Sequence, residues 1–545
     1  MMALLAEERV IPKREVDSPR FMVKAFIICL SYANLCFLNV WESLLDTRAQ
    51  LFVKHIVTWQ QLIAVTSDVL LLALVLWITV CVVARSGNRT GRRIMKWCVF
   101  IGLMLPMNII RLSQQADVIQ SLPILRTGPL PVILEILGGG IGLALLWKWE
   151  KLATKISETL FVVLAPMLPL VFGSVAWIVF SCPPGGRLAD KPAVLVLKQK
   201  PGAPRVLWVI FDEFDQALTF RVRPSSLQLP ELDRFRDRTF HADSAHSPAG
   251  VTFTSVPSLI VGKAFARVEP EGPAKMGLTS ELGKPAVSLE SQSTIFSEVR
   301  RMGLNVGIVG YYIPYCRLFD AVSCEWRAAI GFGPEEWETY PSVERHMVLT
   351  AKRQAAKIPF ANRLGIRNAL QVDVLNPMLD RGIYKHTLDG VQRSIVDPNL
   401  NLVFVHWNIP HPPAIYDAAK DGFSDRPERN YLDNLRLVDR TVLEIRLTLE
   451  KAGLWDSTTI LITSDHPYRS SYWQRSTLPP LPVDNYTESN EVPFLLKLAG
   501  QKQGLAYDSP LQTVVSKDLI LAIMNSEVTQ PEQIAAWLDT HPPRR

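Results

Sequence analysis

The sequence predicts an N-terminal bundle of about five transmembrane helices, followed by an α/β/α domain with a mostly parallel sheet. Two observations lead to this fold class. Hydrophobic residues make up 48% of the 545-residue chain, and their excess is concentrated before Cys182. After Cys182, short apolar runs alternate with amphipathic stretches, a pattern typical of parallel strands whose connecting helices cover both faces of the sheet.

The chain is long enough for several structural units. A Pro/Gly-rich stretch that begins at Pro183 marks the main boundary. We therefore expect five parts, which are a cytoplasmic N-terminal segment (1–24), a transmembrane anchor (25–182), a linker (183–204), the α/β domain (205–530) and a C-terminal tail (531–545).

The predicted anchor consists of apolar segments that are each close to the roughly 20 residues needed to cross a bilayer as a helix. These segments are 25–45, 61–84, 94–112, 129–149 and 160–181. Lys and Arg are enriched before the first segment and in the second and fourth connections, so the positive-inside rule places these parts in the cytoplasm. The α/β domain is then expected in the periplasm or on the outer face of a bacterial inner (plasma) membrane.

Two features of the sequence leave alternatives open. Glu135 lies within the fourth apolar segment, where it is either a functional group or a residue near the end of a tilted helix. Residues 337–386 do not follow the alternation of strands and helices and are expected to form a helical insertion.

Charge and cysteine content exclude some classes of function. The formal net charge is +6 without a long basic run, which argues against a nucleic-acid partner. The chain contains 7 cysteines but no CxxC pair, so a cysteine zinc site is not expected. Cys316 and Cys324 are the cysteines of the α/β domain, and they form either a disulfide or two free thiols.

Acidic and imidazole side chains follow three of the predicted strands. They are Asp212 and Glu213 after strand 206–211, His406 and His411 at the end of strand 401–406 and beyond it, and Asp465 and His466 after strand 458–463. Because the carboxyl ends of parallel strands meet at one edge of the sheet, we expect these groups to form one site.

Thr252 opens a predicted helix (252–261), where free backbone N–H groups favour a phosphate or an alkoxide. We expect Asp212, Glu213, Asp465 and His466 to bind a divalent metal that also contacts Thr252. Oxygen and imidazole donors suit Zn²⁺ or Mn²⁺, with Ca²⁺ and Mg²⁺ as alternatives. The metal would activate the hydroxyl as a nucleophile. Taken singly, a Thr at this place is often a helix cap.

The α/β domain contains a series of short motifs, which are PELDRF at 230–235, SVPSL at 255–259, PHPP at 410–413, Leu432, VD at 438–439, Leu449, GLWDSTT at 453–459 and TSDH at 463–466. In these motifs the domain resembles the sulfatase-like branch of the alkaline phosphatase superfamily. Sulfatases carry a C-x-P-S-R motif followed by a glycine, and aligning that glycine with Gly262 places Thr252 at the cysteine position and Val256 at the arginine position.

Threonine at the nucleophile position resembles the lipid A phosphoethanolamine transferases and the lipoteichoic acid synthases. The spacing of His406 and His411 is similar to that of the phosphoethanolamine branch, whereas Pro467 stands where these families usually have glycine. Ser255 is the reserve nucleophile. The resemblance implies a phospholipid donor and a cell-envelope glycan or lipid acceptor, with His406 or His411 binding the anionic substrate or protonating the leaving group.

Three functions therefore remain open at the level of sequence. The first is a transferase that moves phosphoethanolamine or phosphoglycerol through a phosphothreonine. The second is a hydrolase that acts on a phosphodiester or a sulfate ester at the same site. The third is a membrane-anchored binding protein with a degenerate site.

Overall fold

The structure is a computed structural model. It describes residues 17–45, 48–52, 58–85, 188–199, 202–328, 342–357, 377–424, 429–470, 481–483 and 485–542, together with Trp473 and scattered positions between 137 and 180.

The helices and strands are numbered in chain order. The helices are α1 (Pro19–Cys36), α2 (Leu38–Leu45), α3 (Trp59–Arg85), α4 (Pro230–Asp237), α5 (Thr252–Val261), α6 (Ile295–Arg301), α7 (Tyr315–Leu318), α8 (Val343–Ala355), α9 (Pro377–Ser394), α10 (Tyr431–Lys451), α11 (Ser516–Met524) and α12 (Pro531–Thr540). The strands are β1 (Val206–Asp212), β2 (Phe240–Ala242), β3 (Ala245–His246), β4 (Arg267–Gly272), β5 (Lys275–Thr279), β6 (Val287–Ser288), β7 (Val306–Tyr311), β8 (Ser323–Arg327), β9 (Leu402–Pro410), β10 (Tyr416–Asp417), β11 (Gly422–Phe423), β12 (Thr459–Ser464), β13 (Phe494–Lys497), β14 (Leu505–Tyr507) and β15 (Leu511–Gln512).

The chain divides into two compact units. The first comprises residues 1–46, 55–186 and 337–373, and the second comprises residues 47–54, 187–336 and 374–545. The short stretch 47–54 thus belongs to the second unit, although its neighbours in sequence belong to the first.

Within the first unit, α1 packs against α3 and α3 packs against α8. Ser18 caps α1 by accepting a hydrogen bond from the Phe21 N–H at 3.3 Å. The indole N–H of Trp77 donates to the Met22 carbonyl at 3.0 Å and links α3 to the start of α1. Helix α8 lies in the stretch predicted as a helical insertion.

One helix among the described residues, α3, has the length and composition needed to cross a membrane. It coincides with the second predicted apolar segment, and the first segment falls on α1 and α2. The segment 94–112 lies outside the described residues, as do most of 129–149, including Glu135, and most of 160–181. The five-helix bundle therefore stays a prediction.

The second unit is built on an eight-stranded sheet with the order β14-β2-β13-β12-β1-β9-β7-β8. Strand β1 is central and pairs in parallel with both β12 and β9, and β7 pairs in parallel with β9 and β8. Strand β13 is antiparallel to β12 and β2. The mostly parallel sheet predicted from the sequence is confirmed.

Two apolar cores flank this sheet. Side chains of β1 alternate between them, with Trp208 and Ile210 in one core and Val209 and Phe211 in the other. The first core also contains residues of α5, α6, α11 and α12, and the second contains residues of α4, α9 and α10. Because both faces are covered, β1 is apolar from Val206 to Phe211, as expected for a buried parallel strand.

Candidate metal centre and nucleophile

The carboxyl ends of β1 and β12 place acidic and imidazole groups side by side. Asp212 is the last residue of β1, and Asp465 and His466 directly follow β12, its parallel neighbour. Within the described part of the chain, potential metal-ligand atoms of Asp212, Asp465 and His466 lie within 4.8 Å of one another, and all three residues are buried. The parallel pairing therefore brings together groups that are far apart in sequence.

The protonation of His466 follows from its hydrogen bonds. Its Nδ1 lies 2.9 Å from the Pro467 carbonyl oxygen, which can only accept, so Nδ1 carries the proton. The lone pair on Nε2 then lies 3.4 Å from an oxygen of Asp212 and 3.4 Å from an oxygen of Asp465. Burial, together with the nearby charge of Arg469, holds the pKa of His466 well below its ordinary value. A bound cation would relieve the repulsion between these groups.

The two carboxylates also fit a metal. Asp465 Oδ1 accepts backbone N–H bonds from Glu213 at 3.1 Å and His466 at 2.8 Å, whereas its Oδ2 is buried without a hydrogen-bond partner among the described residues. Burial, and next the charge of Asp465, raises the pKa of Asp212 well above its ordinary value. A divalent cation would stabilise the ionised form of Asp212. The set of two carboxylates and one imidazole therefore fits a divalent metal.

Thr252 is the first residue of α5 and borders this cluster. Its Oγ1 lies 3.2 Å from His466 Nε2 and 3.4 Å from Asp212 Oδ1. The side chain is 8% exposed, and the N-terminus of the helix adds a favourable field for negative charge. Ser255, the reserve nucleophile, is fully buried and donates its hydroxyl to the Asp465 carbonyl, so it fixes the helix to the end of β12. Thr252 is thus the hydroxyl that faces the cluster.

Glu213 lies apart from the cluster to which the sequence assigned it. Its φ of 69° turns the chain at the end of β1. Its Oε1 accepts hydrogen bonds from the Arg469 backbone N–H at 2.7 Å and from the Trp473 indole at 3.1 Å. Burial raises the pKa of Glu213 to about 8. The physical reason is that Glu213 lies beyond the end of β1, where its positive φ turns the chain and its side chain reaches the Arg469 backbone and Trp473.

His406 lies within β9 rather than at its end, since the strand continues to Pro410. Its Nδ1 is 2.7 Å from the Tyr315 hydroxyl, and its buried Nε2 has no hydrogen-bond partner in the described chain. Burial lowers the pKa of His406 to about 4, so the ring is neutral near pH 7. A neutral ring can accept a hydrogen bond or bind a metal, and it becomes a proton donor only when an anion raises its pKa.

His411 follows β9 and comes close to the end of β1, where its backbone N–H donates to the Asp212 carbonyl at 3.0 Å. Its Nδ1 donates to the Pro412 carbonyl at 2.8 Å. Burial lowers the pKa of His411 well below its ordinary value, and the charges of Arg469 and His466 lower it further. His411 therefore shares the electrostatic environment of the cluster.

Sequence reasoning missed three side chains of the site. Tyr311 donates its hydroxyl to Asp212 Oδ2, and Tyr315 contacts His406. The guanidinium of Arg469 lies 3.9 Å from Glu213 Oε2. Tyr311 ends β7, so the rule that sites form at the carboxyl ends of parallel strands indicates this position too.

A disulfide joins Cys316 and Cys324, the pair that the sequence left open. The bond connects α7 to β8. It lies next to Tyr315 in sequence, so it constrains the helix that presents the Tyr315 hydroxyl to His406.

A family model described as Sulfatase matches residues 204–525, which is more than half of the chain. No curated protein matches the chain in sequence.

Similar solved structures include two phosphonate monoester hydrolases and a sulfatase. The enzyme of Agrobacterium radiobacter is 12% identical with a TM-score of 0.38, and the alignment covers 59% of this chain and 74% of that chain. SpPMH from Silicibacter pomeroyi is 14% identical with a TM-score of 0.38, covering 59% and 73%. The PsFucS1 sulfatase from Pseudoalteromonas sp. is 14% identical with a TM-score of 0.39, covering 60% and 69%.

Proposed function

Since this chain belongs to the sulfatase family of the alkaline phosphatase superfamily, we propose that it is a membrane-anchored, metal-dependent transferase. It moves a phospho-alcohol head group, phosphoethanolamine or phosphoglycerol, from a phospholipid to a cell-envelope glycan or lipid. The carrier is a phosphothreonine at residue 252. One observation carries the proposal, namely that Thr252 Oγ1 lies 3.2 Å from His466 Nε2 and 3.4 Å from Asp212 Oδ1.

The residues Asp212, Asp465 and His466 would hold the metal, with Thr252 beside them. When bound, a divalent cation supplies Lewis-acid stabilisation of the attacking oxygen and of the phosphoryl oxygens. Thr252 loses its proton to solvent, and its Oγ1 forms the new bond to phosphorus. The bond between phosphorus and the glycerol oxygen breaks, and diacylglycerol leaves with a proton.

His406 and His411 are the groups proposed to bind the phosphodiester and to protonate the leaving oxygen. Both imidazoles are neutral in the buried site. An anionic phosphodiester beside them would raise their pKa and favour the protonated form. In the second step a hydroxyl of the acceptor attacks the phosphothreonine, and Thr252 is released.

The choice of a lipid donor agrees with the predicted membrane anchor. Helix α3 meets the length and composition of a membrane span, and the distribution of Lys and Arg predicts a periplasmic or outer-face α/β domain. An anchored site stays close to lipid head groups, which increases their effective concentration at the nucleophile. If the donor were a free solute, membrane anchoring would not increase its concentration at the nucleophile.

The test is the mass of the peptide that contains Thr252, taken from the full-length protein after incubation with vesicles of bacterial phospholipids. We expect an adduct on the parent protein and on a Thr254→Ala control, and none on Thr252→Ala. The mass identifies phosphoethanolamine or phosphoglycerol. An adduct that persists in Thr252→Ala would contradict the proposal.

A hydrolase is the second candidate, and the match to the Sulfatase family model favours it. Water would then take the place of the acceptor hydroxyl at the same phosphothreonine. A phosphodiester fits better than a sulfate ester, because formylglycine cannot be formed from threonine. Product analysis separates the two candidates, since a hydrolase releases free head-group phosphate and a transferase attaches it to the added acceptor.

A further inference from the structure

A short turn at Ala49–Phe52, which lies between α2 and α3 in the chain, is part of the second unit. The turn packs against β4. Leu51 is fully buried and Phe52 is 9% exposed, and both belong to the core that contains Val256 and Leu259 of α5. The core around the nucleophile helix is therefore completed by residues from far upstream in the sequence.

The Phe52 ring joins two segments that border the site. Its centroid lies 5.0 Å from that of Phe253 on α5. It also lies 5.2 Å from that of Tyr312, which follows β7, and the two rings are stacked at 27°. Phe253 and Tyr312 contact each other at 6.3 Å in an edge-to-face arrangement. Aromatic pairs in these geometries are favourable beyond the area that they bury.

Each partner of Phe52 is next in sequence to a residue that contacts Asp212. Thr252 precedes Phe253, and its Oγ1 lies 3.4 Å from Asp212 Oδ1. Tyr311 precedes Tyr312 and donates its hydroxyl to Asp212 Oδ2. Tyr312 has a φ of 66°, which is disfavoured for a bulky residue and persists where surrounding contacts hold it.

We propose that Phe52 is a positioning residue for the nucleophile. By packing on Phe253 and Tyr312 together, it sets the spacing between the start of α5 and the end of β7. That spacing fixes the distance of Thr252 and Tyr311 from Asp212. The functional catalytic unit then comprises the turn at Ala49–Phe52 as well as the α/β domain.

Because this role presupposes the proposed chemistry at Thr252, the first measurement needs no substrate. Hydrogen exchange is measured on the full-length protein and on Phe52→Ala, with Phe37→Ala as the matched control. Phe37 is a buried phenylalanine of the first unit, 4% exposed. We expect Phe52→Ala to increase exchange at the start of α5 and the end of β7 and to leave β12 unchanged, whereas Phe37→Ala leaves all three unchanged. Unchanged exchange at α5 and β7 in Phe52→Ala would overturn the inference.

The second measurement is turnover of bis-(p-nitrophenyl) phosphate by the same full-length proteins. A displaced nucleophile lowers the rate of the chemical step, so we expect kcat to fall about 10- to 100-fold and KM to stay within about twofold. Phe52→Tyr should restore most of the rate, because it keeps the ring. If the parent is active and Phe52→Ala turns over the substrate at the same rate, the positioning role is refuted. An inactive parent would contradict the proposed phosphodiester chemistry at Thr252, whereas the exchange response would still support the packing of Phe52 on α5 and the end of β7.

Discussion

The neighbouring acids Asp212 and Glu213 should respond differently to the same substitution. Asp212→Asn removes an anionic ligand atom from the cluster of Asp212, Asp465 and His466. Glu213→Gln changes a side chain whose Oε1 accepts from Arg469 and Trp473. Only the first substitution acts directly on the proposed metal.

The contacts of each side chain determine the expected changes in metal affinity and in the free energy of unfolding. Losing an outer-shell group lowers metal affinity by about 10- to 100-fold, so the loss of a direct ligand in Asp212→Asn should exceed about 100-fold, or about 2.7 kcal/mol. Glu213→Gln keeps an oxygen for both N–H donors. Because the pKa of Glu213 is raised to about 8 in the metal-free protein, its neutral form already predominates near pH 7. We expect Glu213→Gln to change the free energy of unfolding by less than about 1 kcal/mol.

The assay is metal content after dialysis, followed by competition with a chelating dye, for the parent and both variants. Thermal unfolding of the metal-free proteins checks that each variant is folded. We expect near-stoichiometric metal in Glu213→Gln and strongly reduced metal in Asp212→Asn. Equal loss of metal in both variants, or stoichiometric metal in Asp212→Asn, would refute the assignment of the ligands.

Three further predictions concern the surroundings of the site. Ser255→Ala removes the hydrogen bond to the Asp465 carbonyl and should lower the free energy of unfolding by about 1 kcal/mol. The phosphothreonine adduct should be retained, and its loss in a folded variant would make Ser255 a nucleophile candidate again. Cys316 and Cys324 are separated by 8 residues. Replacing both with serine should lower the free energy of unfolding, measured by urea denaturation, by about 2.5 kcal/mol, because the unfolded chain gains loop entropy. An unchanged urea midpoint would contradict this prediction. Burial lowers the pKa of His406 from 6.5 to about 4. Between these pH values the unfolded chain binds a proton that the folded chain does not, so the metal-free protein should lose stability as the pH falls from about 6.5 to about 4. His406→Gln should flatten this dependence of stability on pH, and parallel curves for the two proteins would contradict the prediction.

Strand periodicity predicts the sheet, and it also indicates which side chain at the end of β1 faces Thr252. The apolar run of β1 indicates a buried parallel strand. Within it, Trp208 and Ile210 face the same core as α5, so Asp212 continues their series toward Thr252. Counting in steps of two along β1 therefore predicts that Asp212 faces Thr252. Glu213 lies beyond the strand, where its φ of 69° turns the chain.

Other features depend on contacts that no local pattern encodes. The continuation of β9 to Pro410 places His406 inside the strand, although the prediction ended the strand there. Trp473 reaches Glu213 from a distant part of the chain. In the sequence, Phe52 lies in a short turn between two apolar helices, and no local pattern indicates that it packs on Phe253. Long-range packing, rather than propensity, decides these positions.

The strand order has a consequence for biosynthesis. Val206 of β1 pairs with Leu402 of β9 and Thr459 of β12, so the central strand is made long before either of its neighbours. At about 5–20 residues per second, roughly 10–50 s pass before those partners are synthesised. During that interval the apolar β1 segment lacks both strands that pair with it and is prone to aggregation. The nascent chain also lacks Asp465 and His466 during that time, so the cluster of Asp212, Asp465 and His466 forms only near the end of translation.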